Sequence, residues 1–342
     1  MKRVVVIGGG FAGARVAKKL NGKCNLTLID TEDYFEYTPG ILRVLVEPQH
    51  YEKLHVKHKD YLPDAKIVVG HVKKIDKKSI SLVGGKKINY DYLVIASGSH
   101  YNNPIKEQDT YFANRVKHLL EANKRMQNSN KIAIVGGGLV GIELAAEIVT
   151  HYDDKIVTII HSGDKILERN NVKTQNYATK FLADRGVKII FNERIIDKDK
   201  KNLKSESGKE YPYDMVFFTV GIKPNTSFMQ GDFSKYATNG IEVNEYLQIP
   251  LMENIFVAGD VSNIIEEKTA QTAEKHGDVV ANNILALISG WKMKKYISKK
   301  RLMVISLGKY SGILENKNYV MTGWVPALMK SMIEKMVMSS FR

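Results

Sequence analysis

One cysteine in 342 residues is the scarcest feature of this chain. A relay through an internal dithiol needs two thiols, so disulfide exchange within the chain is excluded. The same count excludes a zinc site built on cysteine pairs. Cys24 stands just before a strand and is expected to be a small buried hydrophobe. No apolar run approaches 18 residues, which excludes a transmembrane helix. No signal peptide precedes the first strand, because Met1-Lys2-Arg3 leads straight into it, so a cytoplasmic product is expected. Lys2 stands where N-myristoylation requires Gly. Acid is in deficit: 37 Asp and Glu against 51 Lys and Arg leave a net charge of +14. That balance suits an anionic surface partner, and equally a solvating lysine coat. Basic and aromatic residues do not interleave, so nucleic acid is not the expected partner. His50, His55, His58 and His71 have no acid or cysteine at ligand spacing. They are expected at the surface or at an interface, and no metal site is expected.

What the chain does have is a globular balance of 44% hydrophobic and 26% charged residues, long enough for two cores. Its opening stretch, Val4-Val5-Val6-Ile7-Gly8-Gly9-Gly10-Phe11-Ala12-Gly13, reads as a buried strand, a glycine turn and the start of a helix. Gly8 permits the turn, Gly10 lets backbone approach a pyrophosphate, and Gly13 lets helix and strand pack closely. A second strand over residues 25–29 ends at Asp30, an acid placed for a ribose hydroxyl. The same arrangement returns 128 residues later. Residues 131–135 form the strand, Gly136-Gly137-Gly138-Leu139-Val140-Gly141 the turn, 142–148 the helix and 156–160 the partner strand. This second strand ends at His161-Ser162 instead of an acid. Neither residue repels a 2′-phosphate, so use of both NADH and NADPH is predicted. Residues 67–76 and 79–82 read as paired strands. Strands ending at Gly98, Gly221 and Gly259-Asp260 complete the pattern, and a helix follows from residue 269 to 287.

The predicted fold class is therefore α/β, with two Rossmann-like dinucleotide-binding domains, one inserted in the other, and a small C-terminal unit. The outer domain spans 1–105 and 240–290, the inserted one 106–239, and the tail 291–342. In the tail, Val325, Leu328, Met329, Met332, Ile333, Met336 and Val337 recur at helical spacing, with Trp324 at one end and Lys330, Lys335 and Arg342 supplying charge. A helix over 324–338 of this composition suits anionic lipid, and equally a helix packed on the body or at a homodimer seam.

Taken as a set, Gly8 to Gly13, Gly98, Gly136 to Gly141, Gly221 and Gly259-Asp260 resemble the two-dinucleotide-binding flavoproteins, the pyridine nucleotide-disulfide oxidoreductase-like family. The stretches 136–148, 157–162 and 241–248 resemble its ferroptosis suppressor and apoptosis-inducing-factor-like branch, itself similar to the type II NADH:quinone dehydrogenases. The resemblance implies FAD in the outer domain and NADH or NADPH in the inserted one. It assigns Gly8, Gly10 and Gly13 to the FAD pyrophosphate, Asp30 to its adenosine ribose and Val72 to the adenine. Arg43 and Asp260 fall on the phosphate and ribityl part, with Gly98 and Gly259 beside them. Gly136, Gly138 and Gly141 would hold the nicotinamide coenzyme, with Glu143 near its nicotinamide end. Ala270-Gln271-Thr272-Ala273-Glu274-Lys275 resembles the quinone-side motif Ala-Gln-x-Ala-x-Gln, with Lys275 replacing the last Gln. Backbone N–H groups around Thr272 and Ala273 would face the pyrimidine end of the flavin. The implied reaction is hydride transfer from nicotinamide to flavin N5, then two-electron reduction of a lipid quinone, without cysteine, by a protein peripheral on a membrane. Glu143, Gln271 and Lys275 are the candidate catalytic residues. Two other readings stay open: a reductase of oxygen or of an iron protein, and a redox-gated interaction protein.

Overall fold

The computed structural model describes residues 1–100, 112–299, 302–317 and 319–342, with the side chains of residues 112–114 outside that description. The expected domain boundary at 105/106 and the basic pair Lys300-Arg301 lie outside the described residues.

Two parallel sheets carry the architecture. The first orders its strands Ile255–Val257, Tyr92–Ile95, Arg3–Ile7, Asn25–Asp30 and Lys66–Val69. All four pairings are parallel, and Val6 sits between Val94 and Leu28. Strands covered on both faces read as unbroken apolar runs, which is why Val4-Val5-Val6-Ile7 shows no alternation. The second sheet orders Lys188–Ile190, Ile156–Ile160, Lys131–Val135 and Met215–Phe218, again parallel throughout. In each sheet the fingerprint strand is central, so its glycine turn opens at the carboxyl ends of the strands, where such folds bind ligands.

The helix Phe11–Leu20 packs along the long helix Ala270–Ile288. Gly277 lets them approach, since a Cβ there would crowd the Ala12 carbonyl and Arg15. An antiparallel meander, Val72–Asp76, Ser79–Leu82 and Lys87–Asn89, covers the edge of the first domain. Here the structure corrects the sequence expectation. Residues 67–76 are not one strand: Lys66–Val69 joins the parallel sheet, the chain turns at Gly70-His71, and only Val72–Asp76 pairs with Ser79–Leu82. Cys24 is buried, with its thiol toward the Leu20 carbonyl; burial pushes that thiol up to about 11, so it stays protonated at neutral pH.

The C-terminal unit is a three-stranded antiparallel sheet, Met303–Ser306, Gly312–Asn316 and Tyr319–Gly323, followed by the helix Trp324–Ser340. The helix is pinned to the first domain beyond its end, where Phe341 stacks on Phe35 at 4.2 Å and Lys18 donates to the Ser340 carbonyl.

Candidate functional site

The first cradle is built from the opening turn. Gly8 adopts φ +95°, and its N–H donates to the Ile29 carbonyl at 2.8 Å. Gly13 lies so close to the Gly8 carbonyl oxygen that no Cβ fits between them. Over Gly10, by contrast, nothing lies within 4 Å of where a Cβ would be, and the helix has no side-chain cap. The first-turn N–H groups therefore face open space, the arrangement that receives a pyrophosphate. Asp30 accepts the Gly9 N–H at 2.9 Å and lies 3.1 Å from the Nε2 of His58. His58, expected at the surface, is fully buried, with Nδ1 at 2.7 Å from the Tyr61 hydroxyl. Nearby Glu32 has a buried carboxyl oxygen with no hydrogen-bond partner among the described residues. Burial, with Asp30 and Glu36 adding, pushes its carboxyl up to about 8. An orphaned polar atom beside Asp30 is what a ribose diol satisfies. Val72 stands half-buried just past the neighbouring strand.

The far side of this cradle is held by a buried chain of hydrogen bonds. Ser99 donates to Asp260 at 2.8 Å, one residue past Gly98, whose own Cβ direction is open. Gly259 donates its N–H to Nδ1 of His276 at 3.0 Å. Nε2 of His276 therefore carries the proton and donates to Glu266 at 2.7 Å. Tyr296 and Ser298 donate to the other Glu266 oxygen at 2.7 and 2.6 Å. Burial lowers the pKa of His276, so it stays neutral. Burial works against the Glu266 charge, yet hydrogen bonds from Ser298, Tyr296 and His276 hold its carboxyl below the ordinary value. Sequence reasoning missed this network, although an unpaired histidine beside Gly277 inside a helix was visible.

The start of the Ala270–Ile288 helix departs from expectation. Thr269 caps it, accepting the Thr272 N–H at 3.2 Å, and the Ala273 N–H bonds the Thr269 carbonyl at 2.9 Å. Neither of those donors is free. Helix geometry instead leaves the N–H groups of Ala270 and Gln271 without a partner inside the helix. Gln271 is half-buried and donates to the Leu302 carbonyl at 3.3 Å, while Lys275 is exposed.

The second cradle repeats the first. Gly136 has φ +118°, Gly141 abuts the Gly136 carbonyl too closely for a Cβ, and the space over Gly138 is open. His161 takes the place of Asp30, accepting the Gly137 N–H at Nδ1 over 3.2 Å.

Glu143 lies one turn into the second-fingerprint helix and is buried. Its Oε1 accepts the Ser306 N–H at 2.8 Å and the Lys330 ammonium. Arg43, expected on the FAD phosphates, instead pairs with Glu147 at 3.0 Å, because Glu147 lies one helical turn beyond Glu143 on the same face. Glu334 completes the set at 3.1 Å from His50. Pro39, Gly40, Leu42 and Ala327 wall these charges into a small polar pocket. Thus Glu143 and Arg43, far apart in sequence, share one pocket, whereas Gln271 and Lys275 are not part of it. Lys330 is expected from the sequence only as charge beside an apolar stripe, and Glu334 carries no sequence signal of its place here.

Two glycine turns open at helix starts, one in each parallel sheet, go with a FAD- and NAD(P)H-dependent oxidoreductase. The family model for pyridine nucleotide-disulphide oxidoreductases matches residues 2–277, and the chain belongs to that family. It is 32% identical to apoptosis-inducing factor homolog B of Dictyostelium discoideum over 345 aligned positions, covering 92% of this chain and 89% of that protein. It is 29% identical to ferroptosis suppressor protein 1 of Taeniopygia guttata, covering 96% and 92%. Among solved structures, the sulfide:quinone oxidoreductase of Aquifex aeolicus shares the fold, with a TM-score of 0.85 at 22% identity over 100% of this chain and 92% of that one. FAD and a nicotinamide coenzyme are the cofactors of this class, and the glycine cradles, Asp30 and Glu32 fit them.

Proposed function

We propose that this chain is a FAD-dependent NAD(P)H:quinone oxidoreductase working at a membrane surface. The observation that carries the reading is an exposed apolar stripe on the C-terminal helix, which buries Pro326, Ala327 and Met338 on its other side. Lys330 and Glu334 point inward to Glu143 and His50. Trp324, Leu328, Met332 and Met336 point outward, between 51 and 69% exposed. Val325, Met329, Ile333 and Val337 flank them, half-buried. Water does not favour such a stripe; the headgroup and acyl boundary of a bilayer does. Among the described residues no helix is long and apolar enough to cross a membrane, so this face would lie on the bilayer. A lipid quinone would then reach the body beside the polar pocket.

In this reading residues 1–105 and 240–290 hold FAD, 106–239 hold NAD(P)H, and 291–342 form the lipid-facing unit. When bound, FAD supplies the two-electron chemistry. The chain's own residues bind, orient and manage protons. Gly10 and Gly138 present helix starts to the pyrophosphates. Asp30 and Glu32 take ribose hydroxyls, and the Gly259–His276–Glu266 chain fixes Asp260. Glu143 accepts Ser306 and Lys330 at Oε1, which leaves Oε2 as the oxygen able to exchange a proton with a substrate in the pocket. The Aquifex protein of the same fold is a sulfide:quinone oxidoreductase, which supports a quinone as the acceptor class. The single cysteine here argues against sulfide as the donor.

Mixing the purified protein with NADH should bleach the flavin absorbance, and a quinone analogue added next should restore it faster than oxygen does. Bleaching that only oxygen reverses would overturn the quinone assignment. A second expectation concerns the helix. Met332→Asp with Met336→Asp should reduce flotation with anionic vesicles about tenfold or more while leaving reduction by NADH intact. Equal flotation would remove the helix from membrane contact.

A further inference from the structure

The geometry points to Glu168 as the residue that reads the 2′ position of the nicotinamide coenzyme, making the second cradle selective for NADH. This rests on taking the second fingerprint as the coenzyme module, and it narrows the sequence expectation that both coenzymes serve to a preference for NADH.

The two cradles treat their middle glycine alike. Gly9 donates to Asp30 at 2.9 Å, and Gly137 donates to Nδ1 of His161 at 3.2 Å. The first cradle thus has its acid at the strand end, and the second has an imidazole there. With Nδ1 accepting, a neutral His161 carries its proton on Nε2, and that buried atom makes no hydrogen bond among the described residues. Glu168 Oε1 lies 3.3 Å away, an approach without hydrogen-bond alignment. A buried donor and a half-exposed carboxylate side by side are what the 2′,3′-diol of an adenosine ribose would join, donating to one and accepting from the other.

Glu168 comes to this place by a loop that is fixed on both sides. Leu167 donates its N–H to the Gly137 carbonyl at 2.9 Å, and the Leu167 carbonyl accepts from Gln175 at 3.1 Å. Leu167 holds φ +50°, a left-handed conformation that a leucine adopts only when its surroundings impose it. On the other side, Asn192 donates to the Gly163 carbonyl at 3.0 Å and Glu193 to the His161 carbonyl at 3.0 Å. The Glu168 carboxylate lies across Gly163 so closely that a side chain at that position would displace it. Among the described residues no lysine or arginine pairs with it, and His161 would do so only when protonated. Arg169 is turned toward Glu267 at 3.7 Å, and Lys209 is held by Glu193. Asp164 and Lys165 are exposed. A 2′-phosphate entering here would meet a carboxylate at close range, whereas a 2′-hydroxyl would donate to it.

Calorimetric titration of the FAD-loaded protein with ADP-ribose and with 2′-phospho-ADP-ribose tests this without any quinone, so it stands apart from the acceptor assignment. The wild type should bind ADP-ribose at least about tenfold more tightly. Glu168→Gln keeps the shape, adds a donor and removes the charge. It should cut the difference to about threefold or less by improving the phosphorylated ligand. Glu168 is exposed enough that this change leaves the core alone. Equal affinities in the wild type, or an unchanged ratio in the variant, would overturn the assignment. Failure of both ligands to bind would overturn it together with the coenzyme role of the second cradle.

Discussion

Gly13→Ala should yield protein that does not retain FAD, while Gly141→Ala should yield a yellow protein that NADH no longer reduces. Both glycines sit where the fingerprint helix crosses the carbonyl of the first turn glycine, Gly8 in one case and Gly136 in the other. Backbone cannot give way there as a side chain tip can. At Gly13 the Ala96 side chain lies 3.3 Å from the added carbon as well. At Gly141 the Thr219 hydroxyl lies 2.8 Å from it. Relief requires moving the helix start, which carries the pyrophosphate donors away from the turn. Each substitution disables its own cradle because each helix packs on its own sheet. Flavin content by absorbance and anaerobic reduction by NADH separate the two outcomes. A Gly141→Ala protein reduced at the wild-type rate would dissociate the second fingerprint from the coenzyme.

Glu143→Ala should be the most damaging change outside the glycines. It leaves the Ser306 N–H and the Lys330 ammonium without their shared acceptor inside a pocket that already holds Arg43 and Glu147. Removing one partner of a buried pair costs about 3–5 kcal/mol; Lys330 is 20% exposed, so about 2–3 kcal/mol is expected. That corresponds to a fall in Tm of roughly 3–4 °C for a chain of this size. Quinone-dependent turnover should fall about a hundredfold. Glu143→Gln retains an acceptor for Ser306 and should recover most of the stability but little of the turnover. If Gln restores both, Glu143 is a strut and not a proton carrier.

The parts of this molecule that could be read in the sequence are those made by neighbours in the chain. Each glycine turn, its strand and its helix lie within about twenty residues, and the α/β class followed from finding that unit twice. Residues that act through distant partners could not be read. His276 was invisible as a fixing residue because Gly259 lies 17 positions earlier and Glu266 10. Arg43 was given to the FAD phosphates because nothing in the sequence places Glu147, 104 positions on, against it. The donors at Thr272 and Ala273 were misjudged for a local reason: Thr269 is a strong cap, and a capped first turn has fewer free N–H groups. The C-terminal helix shows a different limit. Its apolar spacing was plain, but spacing alone cannot say which residues turn inward, and here Lys330 and Glu334 do so alongside Pro326, Ala327 and Met338.

The strand order of the first sheet bears on how the protein is made. Its edge strand, Ile255–Val257, lies against Tyr92–Ile95. A chain emerging from a ribosome therefore presents the Lys131–Phe218 sheet complete before the sheet it interrupts can close. The inserted module can ripen during synthesis, whereas the module around Gly8 stays open until its last strand arrives. Loading of its cofactor belongs to the end of biosynthesis, and chaperone demand should concentrate on that waiting half.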